Sequence, residues 1–462
     1  MTEIWKMTLG QLTAGYASGA LSPVDAAKAA FERIEKVNPA INAIFAPMPE
    51  RALEAAVASE KRWRDGAALG PLDGVPMTIK DSVAMKGTPY VRGCAANLGN
   101  PLSTSDSPPV ARIQEAGGVI LAKTTMPDFG MFAAGVSSAH GTTRNPFNLA
   151  YNTGGSSSGG AASLAAGIGA LTIGTDMAGS VRMPAAMCGL AGMKPTQGRV
   201  PHLPPSAVRS AGPLARNVKD MATFLTVLSG EDLRDFGSIP PEQRRYEDAD
   251  PAQLKGMEIG LCLDAGFGCE TEPEIREAIL RVAREVEAAG AVIVPVDRLI
   301  EFDPSEALNK LFFLRSRLEY NAMPAEKRSL MLPYALQACE AAGEISAIDY
   351  ASALEELEKA KAQMYRHFGR LQYMLTPASP VHGFPADDVG ADTKSALRHT
   401  NFMSLVNQTG QPGAVVNCGM TAQNLPIGVQ VIGRRFDDWG VVQLLAALET
   451  MLGATPDIAE PN

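Results

Sequence analysis

Residues 151–200 read YNTGGSSSGGAASLAAGIGALTIGTDMAGSVRMPAAMCGLAGMKPTQGRV and contain two clusters rich in glycine and serine. The first cluster is Gly154–Gly160, and the second is Ala178–Ser180. Between them, an alanine-rich stretch at 161–168 predicts a helix, and the apolar run at 170–175 predicts a strand. The two clusters are therefore predicted to be loops fixed at the ends of ordered elements.

Glycine-rich loops of this kind can carry chemistry. Glycine permits close backbone approach and positive φ, so that several N–H groups can point at one spot, as in an oxyanion hole. A flexible linker or a phosphate cradle would have a similar composition. The ordered elements that follow argue against a linker, and the P-loop pattern GxxxxGK[ST] is absent. From this pattern alone, a catalytic loop and another kind of glycine-rich loop both stay open.

Strand and helix patterns alternate along the rest of the chain. Residues 304–369 are helical in pattern almost throughout, and the polar stretch 230–255 predicts a linker or a large surface loop. This alternation predicts an α/β layered fold. The clearest β-α-β unit has strands at 257–263 and 292–296 around a helix at 273–289.

Composition narrows the classes of function. The chain has 462 residues, a formal net charge of −9 and 46% hydrophobic residues, which argues against nucleic acid or an anionic membrane as the main partner. No run of eighteen apolar residues and no secretory signal are present, so we expect a cytoplasmic protein without a membrane span. The six cysteines form no CxxC pair and the five histidines no HExxH motif. We therefore expect reduced thiols, no metal site and no cofactor.

A serine nucleophile needs a base, because a free hydroxyl is a weak nucleophile at neutral pH. None of the five histidines stands in a recognisable triad motif, and Gly-x-Ser-x-Gly is absent. Lys80 is the alternative, since it follows the apolar run at 75–79 and precedes Asp81-Ser82. Burial would disfavour its charged form and lower its pKa towards the working range. The residues themselves leave open that Lys80 is an ordinary surface lysine at a strand end.

Three segments together resemble the amidase signature family: GVPMTIKDS at 74–82, GGSSSGG at 154–160 and GTDMAGSVRMPAAMCGLAGMKPT at 174–196. The resemblance implies one domain over 1–462, with a large mixed central sheet covered by helices in an α/β/α arrangement. Its core signature would occupy 74–200, and the variable helical region 304–369 would cover the pocket. Weaker matches occur at 21–44, 143–148, 212–220, 375–380 and 425–433.

The resemblance also implies a role for each catalytic residue. Ser180 matches the nucleophile, and Lys80 matches the base. Ser156 matches the serine that relays protons, which in the family usually follows a cis peptide bond. Ser156 precedes Ser180 by 24 residues, and this interval favours it over the next two serines.

Other residues match supporting positions of the family. The backbone N–H groups of Met177, Ala178, Gly179 and Ser180 resemble the oxyanion hole. The family usually has glycine where this chain has Ala178, and an alanine forced to positive φ would be strained by its Cβ. We expect the loop to tolerate this alanine with a narrower site. Structural support is expected from Asp176, Arg182 and Ser157.

Substrate specificity rests on weaker patterns. An apolar stretch matches a family segment that lines the pocket and favours a neutral apolar or aryl group, although ordinary core packing would explain it equally well. Two arginines could contact a carboxylate or carbonyl group, although most such arginines are solvated or structural. The predicted substrate contacts are Met126, Phe129, Met131, Phe132, Gly155, Arg199 and Arg209.

The predicted function is hydrolysis of a carboxamide C–N bond through an acyl-enzyme on Ser180. A carbamate (urethane) hydrolase or an aryl ester hydrolase is the nearest alternative, because only the leaving group differs. A glutaminase subunit of an amidotransferase is a further alternative, which would need a partner protein. A binding protein without catalysis is disfavoured, since all three catalytic positions are present. The expected partner is a small amide or carbamate, and homodimerisation is an expectation from the family.

Overall fold

The computed structural model describes residues 3–392 and 395–461, which form thirteen α-helices and fifteen strands. The strands are β1 (Ile44–Pro47), β2 (Pro76–Lys80), β3 (Val119–Thr124), β4 (Val136–Ser137), β5 (Gly141–Thr142), β6 (Arg144–Asn145), β7 (Asn148–Asn152), β8 (Leu171–Asp176), β9 (Ala191–Lys194), β10 (Ser210–Ala215), β11 (Glu258–Cys262), β12 (Val292–Val296), β13 (Tyr373–Pro377), β14 (Gly413–Met420) and β15 (Pro426–Gly433). The helices are α1 (Leu9–Ser18), α2 (Pro23–Ile41), α3 (Pro49–Arg64), α4 (Pro108–Glu115), α5 (Ser158–Ala165), α6 (Arg182–Met187), α7 (Val218–Leu228), α8 (Pro273–Ala288), α9 (Ser305–Ala322), α10 (Pro333–Ala341), α11 (Ala347–Arg366), α12 (Asn401–Gln408) and α13 (Asp438–Leu452).

Eleven strands form one mixed central sheet, in the order β1-β3-β2-β8-β10-β9-β14-β15-β13-β11-β12. The pairs β2–β3, β2–β8, β11–β12 and β11–β13 are parallel, and the remaining neighbours are antiparallel. β2, β3 and β8 are buried along their whole length. Strands that are buried on both faces consist of nearly continuous apolar residues, so these strands could be predicted from the sequence. The predicted α/β fold with a large mixed sheet is confirmed.

The parallel trio β3-β2-β8 positions the site. Met77 pairs with Leu171 and Ile79 with Ile173, so β2 and β8 run in register towards the same edge of the sheet. Lys80 therefore ends β2 close to the point where Asp176 ends β8. In such sheets ligands bind outside the carboxyl ends of the strands, where the loops converge.

All three predicted elements of the β-α-β unit are confirmed to within one residue at each end, and outside this unit one element differs more. The helix expected at 161–168 is the main difference, because α5 begins at Ser158 and ends at Ala165. Its first turn contains two glycines, whose low helix propensity favoured a later start in the sequence, and tertiary packing overrides that preference here. Residues 230–255 contain no strand and only one short 3₁₀ turn at Tyr246–Asp248, in keeping with the predicted surface loop.

Residues 304–369 form α9, α10 and α11, joined by short 3₁₀ turns. α9 packs against both α10 and α11. One face of α9 reaches the site described below, through Phe312, Arg315, Ser316 and Glu319. Among the described residues no helix is both long enough and apolar enough to cross a membrane.

Candidate active site

Two loops meet at the carboxyl edge of the parallel strands. Ser156 lies in the loop between β7 and α5, and Ser180 lies in the loop between β8 and α6. The N–H of Ser157 donates a hydrogen bond of 3.1 Å to the carbonyl oxygen of Ser180, which ties the loops together. Both predicted catalytic serines line one cavity above the end of β2.

Lys80 projects from the end of β2 into a group of hydroxyls. Its side chain is fully buried, and its Nζ lies 2.8 Å from Ser156 Oγ and 3.0 Å from Ser157 Oγ. Thr175 contributes two more oxygens, with Oγ1 at 3.1 Å and the carbonyl oxygen at 3.3 Å from Nζ. No carboxylate is within ion-pair distance of this amine in the described part of the chain.

Burial lowers the pKa of Lys80 to about 7, and the nearby Arg209 and Arg92 charges act in the same direction against the Asp176 carboxylate. A neutral amine has two N–H donors and one lone pair. The Thr175 carbonyl can only accept a hydrogen bond, so it uses one of the N–H donors. The lone pair can then accept from the hydroxyl of Ser156, which is the arrangement a general base requires.

The loop before α5 takes a conformation that depends on Gly155. The Gly155–Ser156 peptide bond is cis, as the family resemblance implied. A Cβ on Gly155 would lie 2.3 Å from the carbonyl oxygen of Ala134, so any larger residue would push the loop away. Gly155, which the sequence analysis also expected to contact substrate, lets the backbone approach the neighbouring segment and so places Ser156 against Lys80.

The loop that carries Ser180 is braced by a buried ion pair. Asp176 Oδ2 lies 2.9 Å from Arg182 Nε, and both side chains are completely buried. Asp176 also accepts hydrogen bonds from the backbone N–H groups of Gly179 at 2.7 Å and Val181 at 3.1 Å. Although burial raises its pKa, the Arg182 charge and these donors hold the pKa of Asp176 well below its usual range. Both residues therefore shape the loop, as their family positions implied.

The same hydrogen bonds correct one detail of the predicted oxyanion hole. The single N–H of Gly179 is used by Asp176, so it is not available to a substrate oxygen. In residues 3–392 and 395–461, the N–H groups of Met177, Ala178 and Ser180 have no protein acceptor. Positive φ falls on Gly179, at 105°, and not on Ala178. The alanine at 178 is therefore compatible with this loop, and the strain that positive φ would impose is avoided.

The cavity between the two serines and α9 is narrow, with room for about 40 Å³ of water-sized contents. A water molecule needs roughly 10–15 Å³ of such space, so the cavity holds a few waters. Met126, Phe129, Met131 and Arg209 line it, as the sequence analysis expected. The wall is completed by Ser82, Arg92, Gly130, Thr175, Met177, Phe312, Arg315, Ser316 and Glu319.

Two predicted substrate contacts lie elsewhere. Arg199 is buried and turned away: its Nη1 donates to the Pro240 carbonyl at 2.7 Å, and its Nε lies 3.4 Å from Asp438 Oδ2. These contacts give Arg199 a structural role, and it does not line the cavity that holds the two serines. Phe132 is only 1% exposed and packs edge-on against Tyr334 behind the wall, with ring centroids 5.5 Å apart.

Sequence reasoning missed the charged side of the cavity. Arg92, Arg315 and Glu319 all line it, but none stands in a motif. Arg315 and Glu319 belong to α9, more than a hundred residues after the serine loops, so no local spacing connects them to the site. The predicted covering role of the helical region was the one available indication.

The geometry brings together two serine hydroxyls and a buried amine, and beside them lie backbone N–H groups that have no acceptor among the described residues. Such a set suits attack on a carbonyl carbon followed by proton transfer to the leaving atom. In the described ranges, no three His, Cys, Asp or Glu side chains are grouped so as to hold a metal ion.

Comparison with known proteins agrees with this geometry. The family model described as Amidase matches residues 25–442 of the chain. The chain belongs to the amidase signature family. The solved structure of a bacterial aryl acylamidase of the amidase signature family superposes on this amidase with a TM-score of 0.90. It is 27% identical and covers 96% of both chains. This amidase is thus a hydrolase of amide C–N bonds.

Curated relatives point to a second activity within the family. A glutamyl-tRNA(Gln) amidotransferase subunit from Carboxydothermus hydrogenoformans is 32% identical, over 97% of each chain. The corresponding protein of Chloroflexus aggregans is 33% identical, over 95% of each chain. A 6-aminohexanoate cyclic dimer hydrolase shares the fold of this amidase, with a TM-score of 0.88 over 98% of each chain at 24% identity.

Proposed function

We propose that this amidase hydrolyses a carboxamide through an acyl-enzyme on Ser180, with Ser156 as proton relay and Lys80 as base. The observation that carries the proposal is the buried Lys80 amine, 2.8 Å from Ser156 Oγ, at a cavity that Ser180 also lines. We also propose that residues 1–462 act as one domain, since strands from both ends of the chain share one sheet.

In this mechanism, the neutral Lys80 amine accepts a proton from Ser156 as Ser156 accepts one from Ser180. Ser180 Oγ then attacks the carbonyl carbon, and a tetrahedral oxyanion forms. Ser156 returns a proton to the leaving nitrogen, because an amine is expelled readily only when it is protonated. Water then attacks the acyl-enzyme by the same proton route and releases the acid.

The oxyanion needs donors fixed before the reaction. The free N–H groups of Met177, Ala178 and Ser180 supply them, and the Asp176–Arg182 pair holds the loop in position. Donors of this kind act strongly because they do not reorganise as charge develops, and loss of one typically costs roughly 10²–10³ in kcat.

The apolar wall supports a substrate with an apolar or aryl group beside the scissile bond. Met126, Phe129, Met131 and Phe312 form this wall next to the two serines. Amide, carbamate and aryl ester carbonyls share the geometry that the mechanism needs, so carbamate and aryl ester hydrolysis are alternative activities of the same site.

A glutaminase subunit is the second candidate. It is favoured by the curated amidotransferase relatives, which match this amidase over nearly its whole length. Such a subunit would hydrolyse glutamine for a partner protein and would show little activity alone.

Purified protein can be tested on glutamine, an aliphatic amide, an anilide, an aryl carbamate and an aryl ester, beside Ser180→Ala and Ser156→Ala. We expect Ser180→Ala to abolish every turnover. Ser156→Ala should depress anilide hydrolysis by roughly 10² or more relative to the aryl ester, because an anilide needs its nitrogen protonated on departure. Normal turnover by Ser180→Ala would refute the proposal. Turnover of glutamine and of no other compound, or no turnover at all with a Ser180 that still reacts with a fluorophosphonate, would favour the glutaminase role.

A further inference from the structure

The charged side chains on one side of the cavity carry more positive than negative charge. Three guanidinium groups line the cavity, from Arg92, Arg209 and Arg315, together with one carboxylate from Glu319. Catalysis by the two serines and Lys80 uses none of these groups. A cavity wall with excess positive charge attracts an anionic ligand.

One of the three cations is already paired. Arg92 forms an ion pair and hydrogen bond with Glu319, and its side chain is only 12% exposed. Arg315 stands one helical turn before Glu319 on α9, a spacing at which the two could pair. Its Nη1 instead lies 3.2 Å from the sulfur of Met177, beside the nucleophile loop.

Arg209 approaches from the loop before β10. Its Nη2 donates 2.5 Å to the carbonyl oxygen of Pro204, while its Nε is buried without an acceptor. Among the residues that the structure describes, neither Arg209 nor Arg315 has a carboxylate within 4.0 Å. Burial and the repulsion of Arg315 and Arg92 lower the pKa of Arg209 to about 9. Holding two like charges together in this way is costly unless an anion offsets them.

We propose that Arg209 and Arg315 form a carboxylate subsite, so that the substrate is an amide carrying a free carboxylate in the same molecule. The proposal rests on the hydrolytic function assigned to Ser180 and narrows its substrate class. Guanidinium groups suit this ligand because their planar N–H pairs match the two oxygens of a carboxylate. The apolar wall then holds the part of the substrate near the scissile bond, and the arginines fix its far end.

The carboxylate can belong to either side of the amide. On the acyl side, the test pair is succinamate and its methyl ester. On the amine side, the pair is 4-acetamidobenzoate and its methyl ester. We expect kcat/KM to favour the free acid at least tenfold in one of the pairs, and the pair that responds identifies the side that carries the carboxylate.

The preference for the free acid over its methyl ester should depend on Arg209 and Arg315. Arg209→Met and Arg315→Met are each expected to reduce it roughly tenfold or more, since a charge-assisted hydrogen bond is lost. Each variant is judged by the ratio of kcat/KM for the free acid to kcat/KM for its methyl ester, because a general effect on catalysis changes both values and leaves this ratio unchanged. Arg315→Lys should restore part of the preference, since charge is kept but the planar fork is not. Arg284→Met is the control, because Arg284 is 59% exposed on α8 and pairs with Glu277.

A measurement on unmodified protein keeps the test independent of variant folding. A fluorophosphonate labels an activated serine, and bound succinate should slow this labelling while the uncharged succinamide does not. Equal protection by both compounds, no preference in either pair, or a preference that survives both methionine variants would overturn the subsite. Any of these results with a labelled, active Ser180 leaves the hydrolytic function intact. An unlabelled Ser180 and no turnover of the esters would instead count against the hydrolytic function itself.

Discussion

The sharpest consequence of the site concerns pH. If Lys80 is the base, its neutral form is the active one, so kcat/KM must rise with pH as the ammonium loses its proton. With a pKa of about 7, the neutral fraction grows from about 9% at pH 6 to about 91% at pH 8, roughly tenfold. An unperturbed lysine, near 10.4, would be only about 0.04% neutral at pH 7. Burial thus raises the concentration of active base roughly a thousandfold.

Two readouts follow this titration between pH 5.5 and 9.5 at constant ionic strength. The first is kcat/KM for an anilide, and the second is the rate of Ser180 labelling by a fluorophosphonate, which requires no leaving amine. Both should rise with an inflection near pH 7. Lys80→Met should lose the inflection in both.

Lys194 supplies the control for this assignment. It is also fully buried, burial lowers its pKa to about 7, and it therefore titrates in the same range. Its Nζ donates to the Pro195 carbonyl, and within residues 3–392 and 395–461 it makes no hydrogen bond to a serine. The inflection should persist in Lys194→Met. A profile that is flat, that rises only above pH 9, or that loses its inflection in Lys194→Met would refute Lys80 as the base.

Two further predictions concern the nucleophile loop. Asp176→Asn leaves the Arg182 guanidinium buried without its counter-charge, so the free energy of unfolding in urea should fall by about 3–5 kcal/mol; a loss under 1 kcal/mol would contradict the structural role of the pair. Gly179→Ala must keep a φ of 105° and would bring a Cβ within 2.5 Å of the Met403 sulfur. Strain of about 1–3 kcal/mol should then lower kcat by roughly 10–100-fold with little change in KM, whereas Ala178→Gly, where φ is not positive, should stay within about threefold of wild type.

The location of the candidate site could be predicted because its parts follow the ends of buried strands. Lys80 ends one apolar run, and the Ser180 loop begins where the next parallel strand ends, so one sheet edge holds both. The glycines of the two loops pointed to close backbone approach, and the structure has it at Gly155. Periodicity and turn chemistry are local properties and indicate these positions, whereas the roles expected for Lys80, Ser156 and Ser180 came from the resemblance to the amidase signature family.

The substrate side could not be predicted in the same way. Arg315 sits on a helix whose exposed and covering faces look alike in sequence, and only the packing of α9 over the serine loops directs it inward. Arg199 is the converse case, because the sequence analysis expected it at the substrate and the structure places it outside the cavity. It stands just after the signature segment, yet Asp438, from the start of the last helix, holds it. Long-range pairing of charges decides such positions, and a single sequence does not contain that information.

The buried Asp176–Arg182 ion pair and the buried Lys80 amine of this amidase influence each other's state of charge. Asp176 lies close enough to Lys80 to raise its pKa, and an unpaired carboxylate there would keep the lysine protonated. Arg182 offsets that charge and at the same time fixes the nucleophile loop, while hydroxyls and a carbonyl surround Lys80. Their surroundings thus favour the ionised form of the carboxyl group and the neutral form of the amine, and such a separation of preferences indicates which group acts as the base. If Lys80 is the base, the ion pair therefore serves catalysis as well as structure, because it offsets the carboxylate charge that would otherwise favour the protonated amine.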